Sequence, residues 1–90
     1  MSEWITVCQQ IIGGGDREFE TAYTSNLERF PTRELAISHG FTLGRSDDFN
    51  VAELVDGKLA SFWWMNRKFE EGVHDLNEIA EQLGIEAGSN

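Results

Sequence analysis

The chain is poor in the features that most often announce a function. One of its 90 residues is a cysteine, Cys8, so neither an intramolecular disulfide nor a multi-cysteine metal site can form. One is a proline, Pro31, too few for a proline-rich linker. Lysine and arginine together number 7 against 16 aspartates and glutamates, a formal charge of −9. That balance opposes approach to phosphates and anionic lipid, which argues against direct nucleic-acid binding and a membrane partner. No apolar run nears the roughly 18 residues of a membrane span, and the start, MSEWITVCQQII, has no basic region ahead of an apolar block. The expectation is a soluble cytoplasmic protein.

Catalytic and cofactor patterns are also missing. The histidines, His39 and His74, have no serine or cysteine motif beside them, and no G-x-S-x-G occurs. Cys8 lies among Val7, Ile11 and Ile12, where a cysteine acts as a small hydrophobe. The glycines Gly13, Gly14 and Gly15 lead into Asp16, Arg17 and Glu18 and not into the Lys-Ser or Lys-Thr of a phosphate loop. Asp47, Asp48, Asn50 and Glu53 lack the spacing and glycine of a calcium loop. The sequence therefore reads as non-catalytic, with no catalytic residue, no metal and no cofactor.

What is present is enough apolar matter for one core. With 40% hydrophobic and 11% aromatic residues, the chain reads as a single domain over 1–90, with a frayed tail at 85–90. Trp4, Val7, Cys8, Ile11 and Ile12 recur at three and four residues and predict a first helix capped by Ser2 and ended by the glycines. Phe19, Ala22, Tyr23, Leu27 and Phe30 form a second helical stripe after Asp16, stopped by Pro31. Thr32 can cap a short third helix, Arg33 to about His39, with Leu35, Ala36 and Ile37 or His39 inward and Gly40 as its stop.

From Phe49 the period changes to two. FNVAELV and LASFWWM flank Asp56-Gly57, the dipeptide favoured where both turn residues need positive φ. An unbroken register places Phe49, Val51, Ala60, Phe62 and Trp64 on one face and Ala52, Leu54, Leu59, Trp63 and Met65 on the other. Phe69, Val73, Leu76, Ile79, Ala80 and Leu83 then mark a final helix, with Asp75 and Glu78 as a capping pair after Gly72 and Gly84 as its stop. The fold class expected is α+β: two or three N-terminal helices, a two-stranded antiparallel hairpin over about 49–65, and a C-terminal helix.

Two features point to a partner. Adjacent strand residues face opposite ways, so Trp63 and Trp64 cannot share one core, and a bare Trp forfeits a few kcal/mol of burial. The Trp63 face, with Leu54 and Met65, is the candidate anchor for another protein, and the open edges of a lone hairpin offer a route to a homodimer. The second feature is the carboxylate field Glu70, Glu71, Asp75, Glu78, Glu81 and Glu86. On a continuous helix Glu71, Asp75 and Glu78 would form one row about 5–6 Å apart. The expected function is a non-catalytic acidic protein-binding module whose partner has a basic surface. In one form it is an inhibitor, as phages and mobile elements carry, occupying a nucleic-acid-binding surface of its target. The alternative is a homodimeric structural or accessory subunit whose acidity only provides solubility.

Overall fold

The computed structural model describes residues 2–14, 17–43, 49–64, 70–71 and 76–88, with 11, 12, 14, 17–21, 64, 70 and 71 described in backbone only. It is built on a five-stranded antiparallel sheet in the order β2-β1-β3-β4-β5. The strands are β1 (Ser2–Gly14), β2 (Arg17–Thr24), β3 (Phe49–Val55), β4 (Lys58–Trp64) and the two-residue β5 (Glu70–Glu71). The helices are α1 (Arg33–Thr42), between β2 and β3, and α2 (Leu76–Leu83), after β5.

This overturns the expected cluster of N-terminal helices. The segments assigned to the first two helices are a β-hairpin, with Cys8 to Ile12 paired to Thr24 through Glu20. The residue types explain the outcome: Ile5, Thr6, Val7, Ile11 and Ile12 are β-branched and fit a pleated sheet better than a helix. The alternation was hidden because β1 is buried on both faces, with Ile5 and Val7 on one side and Thr6 on the other, all at 0–1% exposure. A strand covered on both sides reads as a continuous apolar run, which also contains helical spacings.

The β3–β4 hairpin forms where expected. Asp56 (φ 52°) and Gly57 (φ 81°) both adopt the left-handed conformation of the turn. It is not a lone pair of strands: β1 occupies the outer edge of β3, and Glu70 and Glu71 pair with Trp64 and Trp63 on the outer edge of β4.

Its register also differs from the unbroken one. Leu54 pairs with Leu59, but Glu53 pairs with Ser61, so Ala60 is an extra residue in β4. This bulge reverses which face the following residues meet. Phe62 now lies opposite Ala52 and shares its face with Leu54 and Leu59, whereas Trp63 lies opposite Val51.

Each face is closed by one helix. Ile79, Ala80 and Leu83 of α2 pack with Ile5, Val7, Tyr23, Ala52, Leu54, Leu59 and Phe62 in the main core. The Phe62 ring meets Tyr23 edge-on at 5.5 Å. On the opposite face α1 lies over β1 and β3, and Thr6 Oγ1 donates to the Ala36 carbonyl at 2.6 Å. Thr32 caps α1 as expected, its side chain accepting from the Leu35 N–H.

The inward residues of α1 are Ala36 and Gly40, while Leu35 is 47% exposed. Gly40 is not a helix stop: α1 continues to Thr42, and Gly40 lies against the Phe49 ring, where a Cβ would overlap a ring carbon. The tail is not frayed over its described part. The Leu59 N–H donates to the Glu86 carbonyl, and the Gly88 N–H donates to the Leu59 carbonyl at 2.7 Å.

Gly40→Ala sets a methyl group against the Phe49 ring, a clash expected to outweigh the roughly 1 kcal/mol that alanine gains over glycine in a helix. It is expected to destabilise the fold by about 1–3 kcal/mol, the usual cost of overpacking. Urea unfolding measures it, and an unchanged or raised midpoint would contradict the packing of Phe49 on Gly40.

Candidate functional site

The bulge decides what covers Trp63. Its ring lies 6.1 Å from that of Trp4 on β1, tilted by 57°, and the Arg33 guanidinium sits 5.0 Å above it from the first turn of α1. The indole N–H donates to Ser61 Oγ at 2.9 Å, and Ser61 Oγ donates to Glu53 Oε1 at 3.3 Å. Trp63 is therefore half-buried by its own chain, on the α1 face. Cation–π contact and an engaged N–H let an aromatic residue tolerate a sheet margin.

The residues proposed with Trp63 do not gather around it. Leu54 is 1% exposed in the α2 core, on the opposite face. Met65 and Asp75 lie outside the described residues. Nor do the carboxylates form one helical row: Glu70 and Glu71 belong to strand β5, and α2 begins only at Leu76.

Glu78 and Glu81 do share α2 and are exposed, while Ile79, Ala80 and Leu83 turn inward. The helix contains neither Lys nor Arg, and the next acidic residue, Glu86, is also exposed. Lys58 approaches Glu86 at 3.9 Å between exposed side chains, a contact of small energetic weight. Residues 78–86 thus carry three exposed carboxylates, with Glu78 near Tyr23 of β2 and Glu86 beside Lys58 of β4.

Helix α2 is coupled to the sheet through Tyr23 and Gln82. The Tyr23 N–H donates to Gln82 Oε1 at 2.9 Å, which ties β2 to α2. Burial raises the phenol pKa of Tyr23 above its ordinary 10.0, and the charge of Glu78 raises it further. Sequence reasoning missed this pairing because Tyr23 was assigned to a helix.

Elsewhere, Thr6, Cys8, Thr24, Ser25, Asn26 and Leu43 line a cavity of about 260 Å³ beside the C-terminal end of α1. The polar side chains of Thr6, Ser25 and Asn26 are engaged within the chain, Ser25 Oγ donating to the Thr6 carbonyl and Asn26 Nδ2 meeting His39 Nε2 at 3.2 Å. Cys8 is half-buried there rather than enclosed in the core. Among the described residues no three His, Cys, Asp or Glu side chains come together as a metal site. Among the same residues no helix is long and apolar enough to cross a membrane.

Tyr23 is the one tyrosine of the chain, so ultraviolet titration of the phenolate reports it alone. Because its folded pKa is raised, the fold favours the neutral phenol. The associated stability is fully present below pH 10 and is lost as pH rises through the folded value. Glu78→Gln is expected to lower the Tyr23 midpoint while leaving it above the unfolded value, since burial is the larger cause. A midpoint unchanged by Glu78→Gln, or one at the unfolded value in the native protein, would contradict the assignment.

Comparison with protein-family models, curated protein sequences and solved structures finds no match to the chain.

Proposed function

We propose that the protein is a non-catalytic, acidic protein-binding module whose partner presents a basic surface. The observation that carries this reading is the amphipathic split of α2, with its apolar residues in the core and Glu78 and Glu81 exposed, followed by exposed Glu86. Carboxylates fixed on a packed helix offer a partner a placed set of charges, whereas the same residues on a loose chain would have to be ordered on binding. A formal charge of −9 adds long-range attraction to any basic partner. One form of this function is inhibition, as by small proteins of phages and mobile elements, in which the carboxylates stand in for nucleic-acid phosphates on the target. The compartment in this reading is the cytoplasm.

Trp63 has a different role here from the one its sequence context suggested. Held under Arg33 and beside Trp4, it buttresses the α1 face and is not the principal anchor. The binding surface is assigned to residues 78–86.

A basic probe tests this directly. Oligolysine is expected to bind the protein at low ionic strength and to be released by salt. The Glu78→Gln/Glu81→Gln double variant should bind roughly two- to thirtyfold more weakly, from about 0.2–1 kcal/mol for each of the two exposed charge pairs. Calorimetry at two salt concentrations measures both effects. Equal affinity of the variant and the native protein would place the binding surface elsewhere.

A further inference from the structure

The outer edge of β4 is covered in two places by segments that come late in the chain. Glu70 and Glu71 of β5 pair with Trp64 and Trp63 at its C-terminal end. Near its start, residues 86–88 lie along Leu59. The Leu59 N–H donates to the Glu86 carbonyl at 2.8 Å, and the Gly88 N–H donates to the Leu59 carbonyl at 2.7 Å. Leu59 meets Ala87 in a parallel bridge, the one parallel pairing among the described residues of a sheet whose strands run antiparallel. Leu59 is fully buried, so both of these backbone groups take their partners from the tail.

The helix that precedes the tail does not depend on it. The Ile85 N–H donates to the Ala80 carbonyl at 3.0 Å and the Gly84 N–H to the Glu81 carbonyl at 3.1 Å, around Gly84 at φ 76°. This is the Schellman arrangement, in which the two residues after a helix satisfy its last carbonyls. Residues 86–88 can therefore leave β4 while α2 keeps its cap and its packing through Ile79, Ala80 and Leu83. Among the described residues, they are held by two backbone hydrogen bonds, the half-buried Ala87 and the exposed Lys58–Glu86 contact at 3.9 Å. A segment with so few contacts opens locally, at a free energy below that of global unfolding.

The seat is also selective. Ile85 and Ala87 pack against the main core, and Glu86 between them is exposed beside Lys58, as the alternation of an extended strand requires. Gly88 comes so close to β4 that a Cβ would lie 3.3 Å from the Leu59 carbonyl oxygen. These contacts specify an order: an apolar residue, an acidic one, a small one and a glycine.

We infer that the β4 edge at Leu59 is a docking site for an extended segment of another polypeptide with that order of residues, and that Ile85 to Gly88 are its intramolecular occupant. A strand added at a sheet edge gains affinity from main-chain hydrogen bonds, here those of Leu59, and specificity from its alternate side chains. Lys58 supplies the charge that the acidic residue meets. A short tether holds the tail at an effective concentration in the millimolar range, roughly what a competing segment must match. The docked segment is acidic, whereas the partner proposed for Glu78 and Glu81 is basic, so the two proposals can fail separately.

Amide hydrogen exchange followed by nuclear magnetic resonance tests the inference on the full chain. In the native protein the Leu59 amide is expected to exchange at least about tenfold faster than those of Ile5 and Val7, through opening of the tail alone. Gly88→Val sets a side chain against the Leu59 carbonyl and should speed Leu59 exchange further, with Ile5 and Val7 unchanged. In that variant the acetylated peptide GIEAGSN, the sequence of residues 84–90, at about 1 mM should slow Leu59 exchange again. The same peptide carrying Gly88→Val should not. Gly88→Ala replaces the valine variant if the latter does not fold. Leu59 exchange no faster than that of Ile5 and Val7 in the native protein overturns the inference, as does a rate unchanged by the substitution. So does a folded variant whose Leu59 amide gains no protection from the native peptide, or gains as much from the valine peptide.

Discussion

The structure depends on covering both faces of one sheet. Ninety residues supply two helices among the described residues, one per face, and the Ala60 bulge decides which aromatic side chain each receives. Without that extra residue, Phe62 would turn toward α1 and Trp63 toward the tightly filled α2 core. With it, Phe62 completes the cluster of Ile5, Leu54, Leu59 and Ile79, and the larger indole meets Trp4 and Arg33 at a half-buried margin. The bulge thus assigns the bulkier, polar-tipped ring to the side where its N–H finds Ser61.

The local chemistry of the sequence was legible where one residue type admits few conformations. Asp56-Gly57 specified its turn, Thr32 its cap, and Ile79, Ala80 and Leu83 the buried stripe of α2. The N-terminal hairpin was not legible, because a strand enclosed on both sides loses the alternation that distinguishes it from a helix. The bulge was hidden for a related reason: LASFWW contains apolar residues at both parities, so either register has a hydrophobic face. Of the candidate site, the exposure of Glu78 and Glu81 followed from helical spacing. The placement of Glu71 on that helix failed because the chain first adds β5 to the sheet.

Packing fixes where the charge of α2 lies: Ile79, Ala80 and Leu83 hold the helix on the sheet, and Glu78 and Glu81 are exposed. Tyr23 on β2, joined to α2 through Gln82, ties the N-terminal hairpin to that acidic helix.

The central claim is the bulged register, and nuclear Overhauser contacts test it most directly. The account predicts contacts from the Trp63 indole to Trp4 and Arg33, and from the Phe62 ring to Tyr23. Contacts from the Trp63 indole to Leu54 and Ile79, with Phe62 against Val51, would mean the unbroken register and would contradict the account.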